Sequence, residues 1–117
     1  PSKERVEQSR MLAFMRRLEK RHGLNISGYR ALHQWSVEKP EMFWDELWQF
    51  LGIRSTENYT SVVDDLTKFP GAKWFPGAVL NYAENILKDH NDREIALIFR
   101  GENHMRRSYT WRHLETR

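Results

Sequence analysis

The chain has 117 residues, 39% of them hydrophobic and 30% charged, with a formal net charge of +3 and no cysteine. That length gives one domain's worth of chain, or a small domain and the opening of a larger one. Disulfides, thiolate nucleophiles and cysteine-based zinc sites are excluded, and no apolar run approaches the roughly 20 residues that span a bilayer.

The first segment predicts a helix over Lys3–His22. Ser2 is placed to cap it, Glu4 sits in the first turn, and Met11, Phe14, Met15 and Leu18 form one apolar stripe. Lys20, Arg21 and His22 load the last turn, and Gly23 supplies a left-handed terminator. The positive charge concentrates here, in Lys3, Arg5, Arg10, Arg16, Arg17, Lys20 and Arg21, and again in Arg106, Arg107, Arg112 and Arg117. Because Glu4, Glu7 and Glu19 are interspersed, the pattern is that of a solvated helix face rather than a phosphate-tracking one. The polar amino terminus shows no secretory-signal pattern.

Ser27 is expected to cap a second helix running to about Ser36, with Tyr29, Leu32 and Trp35 on successive turns. Pro40 then opens a third helix at the position where its missing N–H costs nothing. Phe43, Trp44, Leu47, Trp48 and Leu51 give this helix an apolar stripe wide enough to face more than one neighbour, and Gly52 ends it. From Ile53 to about Val79 the sequence has no period. Two repeats punctuate it, Phe69-Pro70-Gly71 and Phe75-Pro76-Gly77, each suited to a type II turn. Phe69, Trp74 and Phe75 are expected to pin this loop to a surface.

Asn81 or a neighbour is expected to cap a helix to about His90, buried through Tyr82, Ala83, Ile86 and Leu87. Ile95–Phe99 and Arg106–Tyr109 predict two strands around a polar turn. Thr110 caps a last helix from Trp111, interrupted at Arg117. That interruption, and an opening Pro1 that is not an initiator residue, lead us to expect that both ends are artificial. The expected fold is mainly α with a small β-hairpin, an α+β arrangement.

Catalytic patterns are not found. The six glycines fit neither G-x-x-x-x-G-K-[ST] nor G-x-G-x-x-G. His22, His33, His90, His104 and His113 are scattered, and none has a histidine partner at i+4. Asp64-Asp65 lacks a third acidic ligand and suits a loop or cap role. The serines stand in no nucleophile-elbow context. No catalytic, cofactor-binding or metal-ligating residue is therefore assigned in this chain.

Two blocks carry a resemblance. Tyr29-Arg-Ala-Leu-His-Gln-Trp-Ser-Val-Glu-Lys-Pro-Glu-Met-Phe-Trp-Asp-Glu-Leu-Trp-Gln-Phe-Leu-Gly-Ile53 resembles the amino-terminal region of acyl-CoA synthetases of the acetyl-CoA synthetase group. Trp74-Phe-Pro-Gly-Ala-Val-Leu-Asn-Tyr-Ala-Glu-Asn85 resembles the fuller form of the pattern in acetoacetyl-CoA synthetases. The resemblance implies a helical cap over residues 1–80 and the start of an AMP-binding (adenylation) domain over 81–117. It implies an intact cytoplasmic ligase that uses acetoacetate, ATP, Mg2+ and CoA, with the remainder of the adenylation domain as partner. It carries over only scaffold: Tyr29, Trp35, Phe43 and Trp44, then Trp74, Gly77, Leu80, Asn81, Tyr82 and Asn85. The family's phosphate loop, ribose-binding Asp and carboxy-terminal Lys match no position here, so the 117 residues alone are expected to be inactive and to bind none of these cofactors. No nucleic acid or membrane partner is expected. Exposed aromatics and unpaired strand edges are expected to favour self-association. A synthetase for acetate or propionate, and a stand-alone helical interaction module, are the competing readings.

Overall fold

A computed structural model describes residues 2–116. The chain is mainly helical with one antiparallel hairpin, as the sequence predicts, and it divides into two compact units, Pro1–Val79 and Leu80–Arg117. The predicted interruption at Arg117 and the reading of Pro1 lie outside the described residues.

The first unit begins with α1 (Lys3–Glu7), α2 (Arg10–His22), α3 (Tyr29–Glu38) and α4 (Pro40–Phe50). The single helix expected over Lys3–His22 is thus two. Ser2 caps α1 by accepting from Arg5 N, but Ser9 adopts an extended backbone and turns its hydroxyl to Leu12 N at 3.2 Å, starting α2 afresh. A serine inside a helical pattern competes for backbone donors in this way. Gly23 ends α2 with φ 63, ψ 26, as predicted.

Ser27 is not the cap of α3. Gly28 occupies that position without a side-chain bond, because the preceding turn brings Ile26 into the core and its N–H onto Glu19 Oε1 at 2.9 Å. The helix also runs past Ser36 to Glu38, and the break falls at Lys39, before Pro40.

Phe14, Met15 and Leu18 of α2 form the core with Ile26 and Leu32, and Trp35, Phe43, Leu47 and Phe50 close over it. Phe43 meets Phe14 edge-on at 5.9 Å, and Phe50 lies 5.1 Å from the same ring. Met11, placed on the predicted stripe, stays half exposed, lining an open groove with Phe14, Leu32 and Phe43.

The segment after α4 is not irregular throughout. Its two limbs pair: Val79 N donates to Glu57 O, Phe75 N to Val62 O at 2.7 Å, and Asp64 N to Lys73 O at 3.1 Å. Val63, a scrap of apolar chain in the sequence, is buried by this pairing. The second Pro-Gly repeat makes the predicted turn, with Ala78 N donating to Phe75 O and Gly77 at φ 89. The first differs: the Phe69–Pro70 peptide is cis and Gly71 has φ 121. Phe69 pins the loop to no surface among the described residues, since it is 99% exposed.

The second unit holds α5 (Tyr82–Leu87), β1 (Ile95–Arg100), β2 (Arg106–Thr110) and α6 (Trp111–Glu115). Helix α5 stops short of His90 because the His90 imidazole, not a helical N–H, donates to Ile86 O at 3.0 Å. Its expected buried side is not buried: Tyr82, Ala83 and Ile86 are all exposed, since the hairpin and α6 are too small to cover them. Strand β1 pairs with β2 from Ile95 opposite Thr110 to Arg100 opposite Arg106, with one irregularity at Ala96. Thr110 and His113 form a reciprocal capping box at the start of α6.

Candidate functional site

The Trp74–Asn85 block is built in two halves. Phe75 anchors the first. Its backbone takes φ 51, and its ring lies 4.6 Å from Trp48 on α4 and 5.1 Å from Tyr59. Trp48 and Tyr59 also meet, edge-on at 5.2 Å, so three aromatics lock the loop to the outer face of α4. The Tyr59 hydroxyl donates to Asp45 on the same helix. Burial, and then this bonded carboxylate, push the Tyr59 phenol up to about 12. Trp74 meets Trp44 at 5.9 Å. The wide stripe of α4 therefore faces two neighbours: Phe43, Leu47 and Phe50 face the helical core, Trp44 and Trp48 the loop.

Gly77 follows in a close fit. A Cβ there would stand 3.3 Å from the Thr60 methyl and 3.6 Å from Asn58 O. Pro76 O accepts from both the N–H and hydroxyl of Thr60, which holds the turn against the opposite limb.

The second half is a helix start. Asn81 accepts from Glu84 N at 3.2 Å, and the Asn85 amide donates to Asn81 O at 3.0 Å. Trp74 and Gly77 belong to the first unit; Leu80, Asn81, Tyr82 and Asn85 belong to the second. Of the other matching residues, Trp35 and Phe43 close the core, whereas Tyr29 and Trp44 remain exposed.

Glu46 was not legible as special. It is only 2% exposed and gathers three partners from α2: Arg17 Nε at 2.9 Å, Arg21 Nε at 2.8 Å and His22 Nε2 at 3.0 Å. Burial pushes its carboxyl up, but the hydrogen bonds from Arg17 and His22 and the charge of Arg21 outweigh that and hold it below the usual range. The sequence signal was the pair Arg17 and Arg21, one turn apart and next to His22, read as solvated charge. The cluster is saturated with internal partners and ties α2 to α4.

Asp64 and Asp65 also bond inward. Asp64 accepts from Lys68 Nζ, Lys73 N and Asp65 N, each at 2.8 Å. The Lys68 bond first, and then the Lys73 N–H, hold the Asp64 carboxyl down at about 2. Asp65 accepts from Thr67 N and Oγ1. Both carboxylates thus shape the loop between the limbs. Among the described residues, no group of three or more His, Asp or Glu stands together to hold a metal ion. A 390 Å3 groove between α2, α3 and α4 is walled by apolar side chains with only Arg10 and Tyr29 polar. It offers no carboxylate or imidazole for acid–base work.

A helical lead-in, an aromatic-locked loop and an Asn-capped helix are what the comparisons with known proteins match. The acetyl-coenzyme A synthetase N-terminus model matches residues 29–86, a span that contains both sequence blocks, and the chain belongs to this family as its amino-terminal region. Its relatives narrow the group. Acetoacetyl-CoA synthetase of Danio rerio is 42% identical over 76 residues, covering 64% of this chain and 11% of that protein. The enzyme of the same name from Rhizobium meliloti is 35% identical over 95% of this chain and 17% of its own length. Malonamoyl-CoA synthetase of Penicillium aethiopicum is 36% identical over 95% of this chain and 16% of that protein. Among solved structures, acetoacetyl-CoA synthetase from Streptomyces lividans matches with a TM-score of 0.83 at 37% identity, over 96% of this chain and 18% of that one. The chain spans less than a fifth of the length of each.

Proposed function

We propose that this chain is the amino-terminal, structural part of an ATP-dependent acetoacetate–CoA ligase. The observation that carries the reading is the match to the Streptomyces lividans acetoacetyl-CoA synthetase over nearly the whole chain. In the reaction, the acetoacetate carboxylate attacks the α-phosphorus of ATP and releases pyrophosphate. The CoA thiol then displaces AMP from the acyl-adenylate and leaves acetoacetyl-CoA. Mg2+ would offset phosphate charge. No step is assigned to a residue of this chain, whose buried Glu46 carboxylate at the α2–α4 seam is occupied by Arg17, Arg21 and His22.

On this reading residues 1–80 are the helical cap and 81–117 open the adenylation domain, which is the cap's partner. The intact enzyme works in the cytoplasm, without nucleic acid or membrane. The support for a division of this kind is the pair of compact units meeting at Val79 and Leu80. The 117 residues alone are inactive and self-associate through exposed apolar strand and helix faces, which sedimentation measures.

A second reading keeps the ligase chemistry and changes the acid. The Penicillium aethiopicum relative is named for malonamate and matches as much of the chain as the Rhizobium meliloti protein does. ATP–pyrophosphate exchange by the intact protein, driven in turn by acetoacetate, malonamate, acetate and propionate, separates the two. Exchange with acetoacetate foremost is expected; preference for another acid sinks the substrate, and no exchange with any acid sinks the class.

A further inference from the structure

Phe69 is 99% exposed, yet the loop that carries it is tightly organised. Asp64 closes the base of that loop from both ends: its N–H donates to Lys73 O at 3.1 Å, and its carboxylate accepts from Lys73 N and Lys68 Nζ. Asp65 fixes the next turn through Thr67. The phenyl ring therefore projects from a loop whose base is held by hydrogen bonds made without it. A bulky aromatic held out in water, on a scaffold that pre-sets its position, has the form of an interface anchor.

Leu66 and Trp74, on either side of Phe69 in sequence, are also exposed. Leu66 lines a shallow depression with Met42 and Pro40 at the start of α4, and Trp74 meets Trp44 one turn further on. Met42 and Trp44 are exposed too. Leu66 with Met42, and Trp74 with Trp44, thus put four exposed apolar side chains along the start of α4, and a patch of this kind marks a surface meant to be covered.

We infer that the Phe69 loop is a latch by which this amino-terminal unit docks into an apolar recess of the remainder of the same, longer polypeptide. This rests on the proposed reading of the chain as part of a ligase. The occupant follows from length: the solved relative matches 96% of this chain, and this chain spans only 18% of it. Most of such a protein lies outside these residues and is available to cover the loop. The base of the loop is already bonded through Asp64 and Asp65, which lowers the loop-ordering cost that docking has to meet.

The test uses the intact polypeptide with Phe69→p-benzoylphenylalanine, irradiated and mapped by mass spectrometry. A crosslink within one polypeptide, from position 69 to a residue beyond 117, is expected. Crosslinks between two copies, crosslinks confined to residues 2–116, or no crosslink would overturn the latch. In parallel, Phe69→Ser should lower the thermal midpoint of the intact protein while Phe69→Leu restores it; an unchanged midpoint for Phe69→Ser also overturns it. Exchange activity of the unmodified protein is read separately. Activity without the crosslink removes the latch alone, and absence of activity with every acid removes the ligase reading instead.

Discussion

Glu46 on α4 and Arg17 on α2 meet through a 2.9 Å bond between Oε2 and Nε, with the carboxylate buried and the guanidinium partly in solvent. That asymmetry sets the outcome of breaking the contact. Removing one member of a buried pair costs about 3–5 kcal/mol, but Arg17 and Arg21 can turn toward water once Glu46 is gone. Glu46→Ala should therefore destabilise the chain by about 2–3 kcal/mol, below that full range. Denaturant titration checks it. The pH dependence has a definite sign. The folded carboxyl titrates below its ordinary value of 4.5, so its stabilisation is present above that pH and is lost as pH falls through the folded value. Glu46→Gln should flatten this acid limb, whereas Arg16→Gln, outside the cluster, should leave it unchanged.

The Trp48–Tyr59–Phe75 lock makes an alkaline prediction. Because the Tyr59 phenol is raised to about 12 from 10.0, its contribution is whole below about pH 10 and is lost as pH rises through about 12. Tyr59→Phe should remove that alkaline slope and cost about 1 kcal/mol at neutral pH through the lost bond to Asp45. Phe75→Ala takes away the ring between the other two and should cost about 2–4 kcal/mol, the half-buried end of the usual range for Phe→Ala.

Gly77 and Gly71 separate strain from crowding. Both have positive φ, so an alanine at either place costs about 1–3 kcal/mol in backbone conformation. Only at Gly77 does the new methyl also meet the Thr60 side chain, at 3.3 Å. Gly77→Ala should thus lower the thermal midpoint more than Gly71→Ala, and Gly77→Ala combined with Thr60→Ser should recover part of the difference.

Asn81→Ala, in the intact protein, removes the side-chain acceptor for Glu84 N and should cost about 1 kcal/mol. Trp74→Ala loses the contact with Trp44. If both residues are scaffold, CoA affinity stays unchanged while the thermal midpoint falls. Weakened CoA binding at intact stability would place them in a binding role instead.

What could be read from sequence was what is written locally. Ser2, Gly23, Pro40, Gly52, Asn81 and Thr110 each act within one helical turn, and each marks the boundary it was read to mark. Ser9 escaped because a serine in a helical pattern looks the same whether it continues the helix or restarts it. Glu46 escaped because its partners lie 24 to 29 residues away, beyond any local period. The limbs around Val63 and Phe75 escaped for the same reason, since their pairing has long sequence separation and no alternation. Of the three aromatics expected to pin the loop, Trp74 and Phe75 find α4 and Phe69 meets no surface among the described residues, a difference that residue type alone does not carry. No catalytic residue was read from the sequence, and the buried carboxylate that emerged serves the seam between α2 and α4.

The flat stack of His90 on Trp111, with ring centroids 3.5 Å apart and planes 3° from parallel, lies wholly within the second unit. Trp35, Trp44, Trp48 and Trp74 all lie in the first. The molecule therefore carries its own optical partition: with Trp111 replaced by Phe, tryptophan emission follows the helical unit alone, and a variant keeping only Trp111 follows the hairpin unit. Melting curves of the two would say whether these units unfold as one or in sequence.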